Sequence, residues 1–442
     1  MRTSLSPVIS AHGFGGQADL PIPLGLAISG SVAALVLSFA VLLMAWRSPR
    51  YASPAGRPAP RWLDRVAASP ASMVVLRSAG VVGFVYTVVV ALWGKPDLTN
   101  PFFGIFFCWL WVGVPIASFF FGPVWRALNP MRTITAGLTR LSGGDPREGM
   151  FDYPERLGYW PAALGLFAFV WQELVSSDPT DMGGLRLWCA VYIGVMLIGG
   201  LLFGHRWFAR ADPFEVYSTL VAHLSVWARK DGRLVIRSPL ANLATVPMHA
   251  GLVGVVGVLF GSTAFDSFKE SNPWVRMIQV APITGYTIDN LGLILFCCAA
   301  GGLLALAAML TPSTGIPRPR LPRFFAHTVT PIIAAYILAH YLTFTIDTGI
   351  QTLARASDPF GKGWNILGTA GFNSNYWFSY HPTLLASLKV VAVVIGHVTA
   401  AAAAHDRSLE VLPRRLHLVG QLPILIVQVV FTAGGLYLLF SS

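Results

Sequence analysis

Ten apolar stretches constrain this chain more than any motif does, because a run of roughly 20 apolar residues is what crosses about 30 Å of hydrocarbon. They lie near 22–46, 72–93, 101–121, 158–175, 184–204, 248–268, 287–310, 324–350, 383–405 and 420–440. In lipid, each backbone N–H and C=O must be satisfied within its own segment, so such stretches fold as helices. The predicted fold class is therefore all-α: a polytopic transmembrane helix bundle of about ten spans. Composition agrees, since 54% hydrophobic and 12% charged residues with a mean hydropathy of +0.61 exclude a water-soluble core.

Lys and Arg set the orientation. The connections after odd-numbered spans hold 22 of them and the opposite side holds 6, so the positive-inside rule makes the richer side cytoplasmic and leaves both termini outside. Residues 1–21 then form an external N-terminal segment, which lacks the long apolar run of a cleaved signal, and 22–440 form the bundle. The net charge of +11 is accounted for by basic loops facing anionic headgroups, and no nucleic-acid partner is implied. Cys108, Cys189, Cys297 and Cys298 all fall within spans, where they read as small packing residues rather than a disulfide framework.

Two segments resemble each other: Phe121-Gly122-x-x-Trp125-x-Ala127 before Asn129-Pro130, and Phe203-Gly204-x-x-Trp207-x-Ala209 before Asp212-Pro213. Each closes an odd-numbered span, which suggests duplicated two-span hairpins. Apolar residues at spacings of three and four, behind an Asp212 N-cap and Pro213, predict a cytoplasmic amphipathic helix over 212–229 lying flat on the membrane. The linker 47–71, rich in Pro, Arg and Ala, reads as poorly structured. The external loop 351–382, with Trp364, Asn373, Asn375, Tyr376, Trp377 and His381, suits a lid or interfacial cap.

The eighth and ninth spans carry an excess of ionisable groups, which in lipid mark an ion path, a proton relay or a metal site. Tyr336, His340, Thr343 and Asp347 follow at i, i+4, i+7 and i+11 and share one helical face. By helical rise, His340 lies about 15 Å and His397 roughly 20 Å below the outer ends of their spans, so the two are expected at similar depth on adjacent helices. Lys389 is placed to pair with Asp347. His327 and the His405-Asp406 pair form a secondary cluster at the cytoplasmic ends.

Three functional readings follow. In the first, His340, His397 and Asp347 hold a transition metal (Zn, Cu or Fe) with an open position, Tyr336 or Lys389 acts on the substrate as a catalytic residue, and the external loop gates access. Haem fits less well, because the His intervals on the two spans differ. In the second, the same residues bind a transported cation or a coupling proton, with His327 and His405 as the inner exit. The third is a non-catalytic subunit of a membrane complex. Each His could also be polar glue between helices. Asp266, near an outer helix end, reads as solvated by headgroups. The partners implied are the lipid bilayer and a small-molecule or ion substrate; nothing specifies an oligomer.

His12-Gly13-Phe14-Gly15-Gly16-Gln17-x-Asp19-Leu20-Pro21, Ser262-Thr263-x-Phe265-Asp266-x-Phe268, and Gly396-His397-Val398 with Ala404-His405-Asp406-Arg407 resemble a bacterial, largely actinobacterial, integral membrane family commonly labelled fenitrothion hydrolase-like. The likeness covers nearly the whole chain. It implies a multi-pass protein of the bacterial inner membrane and a hydrolase acting on an organophosphate triester. A metal with an open position is compatible with that chemistry, since it can generate hydroxide and polarise a phosphoryl oxygen.

Overall fold

A computed structural model describes residues 17–52, 55–374 and 376–440. The His12–Gly16 motif and Asn375 lie outside these residues. Nine helical segments among those described are long and apolar enough to cross a bilayer. In chain order the helices used below are α1 (Leu24–Ala45), α2 (Arg61–Ala68), α3 (Pro70–Trp93), α4 (Pro101–Phe121), α5 (Val124–Leu128), α6 (Pro130–Leu141), α7 (Trp160–Leu174), α8 (Met182–Phe203), α9 (His205–Ala211), α10 (Pro213–Ala222), α11 (Leu252–Lys269), α12 (Gly285–Leu310), α13 (Thr330–Ala356), α14 (Pro382–Leu409) and α15 (Leu422–Phe440). The fold is the expected polytopic all-α bundle.

Nine of the ten expected spans correspond to described helical segments long and apolar enough to cross. The remaining one, 158–175, corresponds to α7, whose 15 residues rise only about 22 Å. Gly158, at φ +46, turns the chain immediately before it, and a Cβ there would meet the Ala250 backbone. Even so, α7 is a core element: Ala162, Leu166, Phe169 and Val170 are all but inaccessible.

Without a hydrophobic force between helices in lipid, close approach depends on small residues. A Cβ on Gly261 of α11 would sit 2.5 Å from the Cys297 Cα of α12, so the two backbones are nearly in contact. Gly261→Leu is therefore expected to destabilise the bundle by about 1–3 kcal/mol through overpacking, read as a lower melting temperature in detergent; an unchanged value would contradict this packing. Gly396 of α14 lies as closely against α13, where a Cβ would meet Ala335 and stand 2.7 Å from the Pro331 carbonyl oxygen. Within α4, Gly104–Gly113 is π-helical, a rare geometry that often marks functional regions. It aims Trp111 into the core, with ring centroids 4.7 Å from Phe169 and 5.3 Å from Tyr217.

Two expectations about the arginine-rich face are corrected. The helix expected over 212–229 ends at Ala222 and is buried on nearly every side rather than lying flat. Two of its polar positions find internal partners, Glu215 with Arg132 and Ser218 with Ser118. Trp227–Lys230 and Arg233–Ile236 instead form an antiparallel hairpin. Asp231 and Gly232 both take positive φ, as a type I′ turn requires. The linker 47–71 is ordered in its described part because it docks on this hairpin. Arg57–Pro58 adds a third strand, and Asp64 of α2 accepts the Leu234 amide at 2.8 Å.

Candidate functional site

His340 meets Asp266 of α11. Its Nε2 lies 3.0 Å from Asp266 Oδ2, and the neighbouring Tyr341 donates its hydroxyl to the same oxygen at 3.1 Å. On the other side of the imidazole, Nδ1 is 3.4 Å from Ser267 Oγ, which in turn is 3.1 Å from the Tyr336 hydroxyl. Asp266, Ser267, Tyr336, His340 and Tyr341 are all buried. Glu173 of α7 acts electrostatically on Asp266 and Tyr341, and Lys269 donates to the Leu174 carbonyl at 2.9 Å. A second carboxylate and a cation therefore border the cluster.

This arrangement can do proton chemistry. An imidazole between a carboxylate and a hydroxyl is held in one orientation and has a proton-exchanging partner on each side. Ser267 and Tyr336 extend the chain with groups that both donate and accept. Which ring nitrogen carries the proton is assigned by these partners rather than seen.

The stripe on α13 is where the sequence put it, with Tyr336, His340 and Thr343 buried and Asp347 half-buried. The triad of His340, His397 and Asp347 is not assembled. Gly396 packs at the level of Pro331 and Ala335, which sets His397 five to nine residues, on the order of 10 Å, below His340. The depth estimate failed because it counted from helix ends, whereas the crossing contact fixes the register. His397 Nδ1 lies 2.8 Å from the Val393 carbonyl of its own helix. Among the described residues, no group of three or more His, Cys, Asp or Glu side chains is arranged to hold a metal ion. Lys389 is buried, and the acid that acts on it is Asp19 of the N-terminal segment rather than Asp347.

The secondary cluster separates. His405 spans the Gln421 side chain at 2.8 Å and the Trp46 carbonyl at 2.9 Å, while Asp406 accepts from Trp46 Nε1, the Arg50 amide and the Tyr51 amide. Together they fasten the end of α1 and are structural in this geometry. His327, also buried, is coupled electrostatically to Arg407 and His223.

The duplicated motifs meet each other. Gly122 and Gly204 both take positive φ, α5 and α9 follow, and Asn129 and Asp212 then cap α6 and α10. Asn129 donates to Asp212 at 2.7 Å, and Tyr192 and Trp125 also donate to that carboxylate. Arg132 grips Glu215 with two nitrogens at 3.0 and 2.5 Å. Burial, then the charge of Glu215, pushes the Asp212 carboxyl up to about 7. Burial, then Arg132, pulls His205 down to about 4.

The sequence reading of Asp266 as solvated by headgroups is corrected, since it is 2% exposed and bound to His340 and Tyr341; Ser267 and Glu173 were not singled out. A signal was present: Ser262, Thr263, Asp266 and Ser267 are spaced to share a helical face, so a polar stripe ran through span six as well as span eight. The fold and this cluster define a polytopic helical membrane protein with a buried carboxylate–imidazole centre. No family model matches the chain, and no curated protein or solved structure is significantly similar to it, so geometry carries the functional argument.

Proposed function

We propose that the chain is a proton-coupled membrane transporter in which Asp266 and His340 form the protonatable centre. The observation that carries this reading is the 3.0 Å contact between His340 Nε2 and Asp266 Oδ2, buried between spanning helices of a multi-pass bundle. Ionisable pairs are costly there and are characteristic of proton relays in pumps and transporters. The arginine-rich face is taken as cytoplasmic and the membrane as the bacterial inner membrane, in line with the loop charges. The transition-metal enzyme reading needs a third donor beside His340 and Asp266.

Proton flux into sealed vesicles holding the purified protein tests the proposal. An imposed gradient is expected to drive flux through the wild type that falls about 10²-fold or more in His340→Ala, the range for loss of a proton-transfer group. Equal flux in both would overturn it. Stoichiometric zinc, copper or iron in the wild type, lost from the variant, would favour the metal reading instead.

A further inference from the structure

Below the centre lies a second polar level whose groups are buried without partners. Among the described residues, His327 Nδ1, Thr330 Oγ1, His397 Nε2 and Gln428 Nε2 find no hydrogen-bond partner, although each residue is no more than 2% exposed. Unsatisfied buried donors and acceptors are rare and costly, and bound water is the ordinary remedy. His397 is the most pointed case. Its Nδ1 lies 2.8 Å from the Val393 carbonyl, and the ring also lies near the Phe431 carbonyl; a neutral imidazole has one N–H to donate, so one ring nitrogen is left for water.

These groups share a depth. Gly435 of α15 packs on the Tyr336 ring, and Gln428, seven residues earlier, lies about 10 Å lower. Thr330 is six residues before Tyr336, about 9 Å lower on a helix that crosses in the same direction, and His397 sits by Pro331. His327 is one turn further toward the arginine-rich face, near His223 and Arg407. Between this level and the centre stand two rings, Phe260 and Phe431, with centroids 4.4 Å apart; Phe260 is 6.4 Å from the Tyr336 ring.

We infer that the lower level is a hydrated chamber, with water bridging His397, Gln428, Thr330 and His327, which connects the centre to the arginine-rich face. It rests on the proton-coupled reading for its purpose, though not for its existence. The Phe260 and Phe431 rings are the dry constriction between the two levels, a form of gate used in channels. In each transfer a proton passes from a water oxygen to His397 Nε2 and is returned to water, leaving the ring unchanged.

Single-cysteine labelling tests this. With Cys108, Cys189, Cys297 and Cys298 replaced by serine, Thr330→Cys and Gln428→Cys are treated in vesicles with a small charged methanethiosulfonate. Ala308→Cys, at a fully buried apolar position of α12, is the dry reference. The two chamber positions are expected to react at least about tenfold faster than the reference, whose labelling waits on local opening. All three should label fully after denaturation, which checks that the thiols are intact. Phe260→Ala, which removes the constriction, should raise proton leak. Protection of both chamber positions equal to that of Ala308→Cys would overturn the chamber, even if His340→Ala had abolished flux. Rapid labelling with unchanged flux in His340→Ala would keep the chamber and remove the proton centre.

Discussion

Asp266→Asn is expected to reduce proton flux through the reconstituted protein by about 10²-fold or more while the bundle stays folded. The amide keeps the size of the carboxylate and can still accept from the Tyr341 hydroxyl, so the hydrogen bonds of 3.0 and 3.1 Å lose charge more than shape. What disappears is the ionisable member of the pair, so Asp266 and His340 can no longer exchange a proton across their contact. Asp152→Asn, at a side chain almost fully exposed on the arginine-rich face, should leave flux unchanged. Equal loss in both variants would point to general damage, and retained flux in Asp266→Asn would remove the carboxylate from the mechanism.

Arg132→Ala is expected to be the most destabilising single change, at about 3–5 kcal/mol. The guanidinium is held bidentately by Glu215, donates to the His205 carbonyl at 3.2 Å, and lies over the Phe208 ring. Its removal leaves Glu215, 1% exposed, as an uncompensated charge against the Asp212 carboxylate. The cost comes from that stranded charge more than from the lost attraction. The double variant Arg132→Met with Glu215→Leu should therefore recover much of the loss, because an apolar pair can replace a buried ion pair nearly neutrally. Melting temperatures in detergent read both effects. A double variant less stable than Arg132→Ala would show that the pair itself, rather than its breakage, is what matters at this joint.

The crossings were legible because bilayer thickness ties span length to composition, and no competing fold satisfies the backbone in lipid. The polar face of α13 was legible for a similar reason, since Tyr336, His340 and Thr343 follow the helical repeat. Which helix that face would meet was not. Periodicity gives a direction around one axis and says nothing of the neighbour, so His340 was paired with His397 when its partner is Asp266. The close contact of Gly396 with Pro331 sets the α13 and α14 register, and a glycine in a sequence does not announce which backbone it will touch. The helix expected over 212–229 failed differently. Its apolar spacing continued through Trp227, but the Asp231-Gly232 turn took Trp227 into a strand. The two FG-x-x-W motifs correctly marked equivalent segments, while the joint between Asn129 and Asp212 that they build emerges only once the chain is folded.

On the proposed mechanism, Asp266 and His340 take up and release a proton together. Infrared difference spectra between acid and alkaline conditions, recorded on the reconstituted wild type, Asp266→Asn and His340→Ala, test it most directly. A carboxyl C=O band is expected in the wild type, absent from Asp266→Asn and shifted in His340→Ala. Identical difference spectra for the wild type and Asp266→Asn would contradict it.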